Sequence, residues 1–229
     1  WSFTQNKWTL INNVDRSEGS AGSGYDTSGD FDPATGYWWY VGGGPGSSTS
    51  HVGYYDPATD TWATGAYDNV MTGGGRRTVA IDQSRNMLVM VMGTNRLFAM
   101  PLSDFTQGST RLSNYEISYS GTAPSDAEWH AWGRMGFDYD PVSTNFIAYD
   151  PFNAAVHVLD PDTWTWELLA TEGTLPSTVS STTGLFGRFR YIPSLDKFTL
   201  MNGVNTNIFL LDLRPNSGMA VTSFDLQSS

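Results

Sequence analysis

From Gly29 onward, short apolar runs alternate with polar corners. In Gly29 to Trp62 (GDFDPATGYWWYVGGGPGSSTSHVGYYDPATDTW), an aromatic-Asp-Pro corner at Phe31 to Thr35 separates two runs, and a second, at Tyr55 to Thr59, leads into Trp62. Proline presets φ at the second turn position, and Asp bonds the backbone just after it, so each corner predicts a hairpin. The flanking Tyr37 to Val41 and His51 to Tyr55 are aromatic and β-branched, as half-buried strands require.

The same order returns three times, as TVAIDQSRNMLVMVMG with RLFAMPLSDF, GFDYDPVSTNFIAYD with AVHVLDPDTWTW, and FRYIPSLDKFTLMNG with NIFLLDLRP. Aligned on the first corner, the equivalent residues are Asp32, Asp82, Asp140 and Ile192, at steps of 50, 58 and 52 residues. About four strands in a repeat of that length predicts an all-β propeller blade. The run MLVMVMG is apolar at consecutive positions, which suits a strand covered on both faces by neighbouring blades, with its methionines in the packing.

Gly42-Gly43-Gly44 after the second strand, then Tyr55 with six residues before Trp62, resembles the kelch repeat, and Leu159 to Trp166 keeps the spacing with Leu for Tyr. The second and fourth units lack the Trp and most of the double glycine, so the motif is clear in two units of four. The resemblance covers roughly residues 21 to 226 and implies a kelch-type β-propeller of four-stranded blades. The expected organisation is one domain over 1–229, with blades at about 21–70, 72–119, 128–176 and 183–226. Residues 1–20, with Trp1 where a closing Trp would stand, read as the tail of a preceding or ring-closing blade. The repeats alone admit a small closed ring or part of a larger one.

Composition narrows the partners. Twelve Lys+Arg against 23 Asp+Glu give a net charge of −11, which argues against nucleic acid or an anionic membrane. No run of 18 apolar residues occurs, so no membrane insertion is expected. There is no cysteine, which removes disulfides and thiolate metal sites. Abundant Gly, Ser, Thr, Asp, Trp and Tyr with only 15% charged residues resembles many secreted or cell-surface β proteins. No cofactor is expected. Asp26, Asp30 and Asp32 have D-x-D character but lack the full Ca²⁺ loop with its closing Glu, so Ca²⁺ is kept only as a minor alternative and no metal site is assigned.

Inner strands of a propeller converge on an axis, so recurrence just before the first corner marks candidate site residues. Gly75-Arg76, Gly133-Arg134 and Gly187-Arg188 recur there, at even offsets that put the arginines on one strand face. Either Arg76, Arg134 and Arg188 form a funnel of guanidinium groups able to grip a carboxylate, or each pairs with an Asp of a neighbouring blade, such as Asp138 or Asp30. Arg77 and Arg190 are further members. Trp129, Trp132 and Tyr25 could stack on a sugar, while Trp38 and Trp39 cannot both face inward from one strand. His130 and Tyr191 are the candidate acid and base if the protein is an enzyme.

Three functions follow as expectations: a non-catalytic propeller binding a carbohydrate, acidic glycans included, or an extracellular protein; a lyase on uronate-containing polysaccharides; or a structural subunit of an extracellular fibre or virion, self-assembling through open blade edges.

Overall fold

The aligned corners close as Asx turns. Asp32 Oδ1 accepts the Ala34 N–H at 2.9 Å and Oδ2 the Thr35 hydroxyl at 2.5 Å; Asp140 does the same for Val142 N–H at 3.1 Å and Ser143 at 2.8 Å. Asp82 collects Ser84 N–H, the Ser84 hydroxyl and Arg85 N–H on one oxygen and the Arg85 guanidinium on the other. These carboxylates are buried, which is tolerable only because their lone pairs are filled. Four residues after each Asp the chain turns through positive φ, at Gly36, Asn86 and Thr144. In the fourth unit Ile192 replaces the Asp, and the positive-φ Asp196 accepts the Tyr191 hydroxyl at 2.7 Å, as Asp60 accepts that of Tyr55.

The computed structural model describes residues 28–43, 50–68, 77–93, 95–125, 134–171, 175–176, 185, 188–201, 208–213 and 221–224. Four antiparallel sheets result. The first is β1 (Ser28–Asp32), β2 (Tyr37–Gly43), β3 (Ser50–Asp56) and β4 (Thr61–Thr64). The second is β5 (Arg77–Asp82), β6 (Met87–Met92), β7 (Arg96–Pro101) and β8 (Glu116–Ile117). The third is β10 (Gly136–Asp140), β11 (Asn145–Asp150), β12 (Ala155–Asp160) and β13 (Thr165–Leu169), with β9 (Ser120–Gly121) added parallel to β13. The fourth is β14 (Phe189–Ile192), β15 (Lys197–Met201), β16 (Ile208–Leu211) and β17 (Val221–Phe224). They stand as the blades of a four-bladed β-propeller, with β1, β5, β10 and β14 innermost and β5 packed between β1 and β10, β10 between β5 and β14.

Alternation on each strand feeds two cores. On β6, Leu88, Met90 and Met92 pack toward the first blade while Val89 and Val91 pack toward the third. The consecutive apolar run is therefore two alternating sets, each facing its own neighbour. Phe146 and Ala148 likewise face the second blade, and Ile147 and Tyr149 the fourth. The six-residue spacing also has a geometric cause: Tyr55 and Trp62 are cross-strand partners across the β3–β4 hairpin with rings 4.9 Å apart, and Leu159 and Trp166 are partners across β12–β13.

Inner strands approach closely at Gly136, where a Cβ would lie 2.4 Å from Cβ of Phe189 on β14, so only glycine lets β10 and β14 pack. The expected segment 1–20, and with it Trp1, lies outside the described residues.

Candidate functional site

Two residues before each aligned corner stand Asp30, Ala80, Asp138 and Arg190, one per inner strand. This face of each strand points to the next blade. Asp30 Oδ2 accepts the N–H of Ile81 in the second blade at 2.9 Å, helped by Ser28 Oγ accepting Val79 N–H at 3.2 Å. Asp138 Oδ2 accepts the N–H of Tyr191 in the fourth blade at 2.7 Å. Ala80 is buried between the second and third blades. Arg190 continues the pattern back to the first blade, donating from Nη1 to Asp30 Oδ1 at 3.0 Å and from Nη2 to the Gly29 carbonyl at 3.1 Å. Nη1 also reaches Asp138 Oδ1 at 3.5 Å. One guanidinium thus links the first, third and fourth blades at the axis.

Two carboxylates share that one cation. Burial pushes Asp30 up, against the pull of Arg190 and of two backbone amides. Burial, with the Asp30 charge adding to it, pushes Asp138 up to about 7 despite Arg190 and its own amide donors. Both carboxyls of the axial layer therefore take up a proton more readily than an exposed aspartate does.

An open cavity of about 480 Å³ lies over this layer. Its wall includes Gln83, Pro141 and Pro193, which directly follow the inner strands, so it opens at the strands' C-terminal ends. Phe31 and Trp38, cross-strand partners on β1 and β2, line it while 46% and 43% exposed. The adjacent Trp39 is 3% exposed, in the core between the first two blades, so the two tryptophans face opposite ways as alternation demands. Tyr139 and Tyr191 complete an aromatic wall around Asp30, Asp138 and Arg190.

Among the sequence candidates, Tyr191 lines this cavity, with its hydroxyl donated to Asp196. Arg134 and Arg188 are half-buried at the opposite, N-terminal ends of their inner strands. They are brought near each other through Leu185, whose N–H donates to the Arg134 carbonyl at 2.7 Å and whose carbonyl accepts Arg188 N–H at 3.0 Å. Arg77 is buried at the start of β5. Tyr25, Arg76, Trp129, His130 and Trp132 lie outside the described residues. Asp30 and Asp138, considered as partners for the recurrent arginines, do pair with an arginine, and it is Arg190.

Two histidines also sit between strands. His157 is buried on β12 with Nδ1 3.1 Å from the Thr122 carbonyl, and burial lowers its pKa. His51, edge-on to Tyr40 and Tyr67, is lowered to about 4 by burial and by nearby Arg77. Among the described residues no group of three or more His, Cys, Asp or Glu is placed to hold a metal ion. Asp32 of the D-x-D cluster is engaged by its own corner, and Asp26 lies outside the described residues.

Fold and cavity together define a four-bladed propeller with a charged, aromatic-walled axial pocket. No protein-family model and no curated protein matches the sequence. Among solved structures, the chain is similar to a protein of unknown function from Bacteroides thetaiotaomicron VPI-5482, at 17% identity and TM-score 0.49, over 82% of this chain and 44% of that one. It is also similar to a luciferin-regenerating enzyme (12%, TM-score 0.49, 86% and 59%) and to a putative 6-phosphogluconolactonase from Bacteroides uniformis ATCC 8492 (13%, TM-score 0.47, 90% and 57%). The chain spans about half the length of these proteins, and nothing of their named activities is carried over to it.

Proposed function

We propose that the protein is a non-catalytic carbohydrate-binding propeller of kelch type, secreted or cell-surface, which takes its ligand in the axial cavity. The observation that carries this is the pairing of exposed aromatic faces, Trp38 and Phe31, with a polar floor of Asp30, Asp138, Arg190 and Gln83 in one cavity. A pyranose offers the matching surfaces: an apolar ring face for the indole and hydroxyls for the carboxylates, guanidinium and amide. A uronate fits less well, because Arg190 already serves Asp30 and the Gly29 carbonyl and would have to leave them. The extracellular setting is supported by composition alone.

Trp38→Ala tests the reading, since an exposed side chain can be removed with little effect on folding. On a glycan array followed by calorimetry, wild type should bind at least one glycan, and the variant should bind it at least about tenfold more weakly, near 1.4 kcal/mol. A hit indifferent to the substitution, or no hit at all, would remove the proposal.

A further inference from the structure

Asp30 and Asp138 are unequally served by their shared guanidinium. Arg190 Nη1 is 3.0 Å from Asp30 but 3.5 Å from Asp138, and its Nη2 is turned to the Gly29 carbonyl. The other partners of Asp138 among the described residues are neutral amides, Tyr139 N–H at 3.0 Å and Tyr191 N–H at 2.7 Å. Among the described residues, the charged and titratable groups facing it are Asp30 on β1 and Arg190 and Tyr191 on β14. Inner strand β5 presents Ala80 at the aligned position, and β11 presents Ile147 as cross-strand partner. Among the described residues the layer is thus one positive charge short of neutrality when both carboxyls are ionised. The same cavity exposes an indole, the best aromatic face for a cation.

We propose that the ligand is an amino sugar, whose protonated primary amine takes the unfilled place at Asp138 while its ring lies against Trp38. This rests on the carbohydrate reading above and narrows it. The ammonium supplies the missing charge without disturbing the Arg190–Asp30 pair, whereas an N-acetylated or plain sugar brings no cation. Burial and the Asp30 charge raise Asp138, so toward acid it takes up a proton that the ligand must displace, and binding weakens as pH falls. Above about 8 a sugar ammonium, like an α-amino group, loses its own proton and binding weakens again. The affinity profile is therefore bell-shaped with its top between.

The test is calorimetry with three tetrasaccharides, β-1,4-linked glucosamine, N-acetylglucosamine and glucose, at constant ionic strength from pH 5 to 9. The glucosamine tetramer should bind at least tenfold tighter than the other two near pH 7.5, with the bell-shaped profile, while the other two stay flat. Asp138→Asn should erase the preference, and Trp38→Ala should weaken all three. Equal binding of the three would overturn this inference and leave the carbohydrate reading standing; binding of none would remove this inference and count against that reading. Glucosamine binding that survives both substitutions would be adsorption to an acidic protein and would also overturn it. Should Asp138→Asn not fold, the wild-type pH profile decides alone, since a flat or monotonic curve refutes the coupling to Asp138.

Discussion

Replacing Arg190 by Met keeps the length and removes the charge, which leaves Asp30 and Asp138 facing one another with no cation between them. The guanidinium makes contacts at 3.0 Å to Asp30, 3.1 Å to the Gly29 carbonyl and 3.5 Å to Asp138. Removing one partner of a buried ion pair costs about 3–5 kcal/mol, and Arg190, whose side chain is 28% exposed, belongs at the lower end, near 3 kcal/mol at pH 8. The cost depends on pH with a definite sign. Both carboxyls already sit above their ordinary value of 3.8 in the fold, and losing Arg190 raises them further. The folded state then holds more protons than the unfolded chain, so stability falls as pH rises from about 4 through 7 and beyond. Toward acid both raised groups take up protons, so by pH 5 the loss should shrink toward about 1 kcal/mol, the share of the hydrogen bond to Gly29. Urea unfolding of both proteins at pH 5 and pH 8, at matched ionic strength, reads this directly. An equal loss at the two pH values, or a larger one at pH 5, would refute the account of the axial layer.

Other outcomes follow from the same structure. Asp82→Ala strips four hydrogen bonds from a buried corner and should cost about 3 kcal/mol in urea unfolding, clearly more than Asp56→Ala at an outer corner. Gly136→Ala forces a Cβ to within 2.4 Å of Phe189 and should lower stability by about 2 kcal/mol or more by the same assay, although alanine is the better residue in most strands. His51, lowered to about 4 by burial and Arg77, should keep a neutral ring in NMR titration down to pH 5. Because the unfolded chain binds that proton from 6.5 downward, stability contributed by neutral His51 is lost as pH falls from 6.5 through 4, and His51→Phe should remove that acid-side loss.

The corners, the repeat and the two-sided cores were legible in the chain because each depends on residues near in sequence. Asp32, Asp82 and Asp140 each build their own turn, and the Tyr55–Trp62 spacing is one hairpin. The axial layer was harder for a physical reason. It holds Asp30, Ala80, Asp138 and Arg190 at one aligned position, four unlike residues whose complementarity arises only when the ring brings them together. A search for recurrence finds like residues, and so selects Arg134 and Arg188, which sit in turns before their strands at the other end of the ring. Arg190 stood in the sequence only as a further member of that set, and what singles it out is the column of opposite charges that the corner alignment makes with Asp30 and Asp138. Alternation required Trp38 and Trp39 to face opposite ways without saying which, and packing between the first two blades puts Trp39 in the core and leaves Trp38 exposed.

The chain leaving the second sheet does not run straight to the axis. Ser120 N–H donates to the Trp164 carbonyl at 3.0 Å, Thr122 N–H donates to the Trp166 carbonyl at 2.8 Å, and the Thr122 carbonyl meets His157. A connector is thereby laced onto the perimeter of the sheet it has yet to enter. Loss of the third sheet must free that lacing, so the amides of Ser120 and Thr122 should exchange with deuterium on the timescale of the sheet behind them, and the two neighbours should melt as one unit.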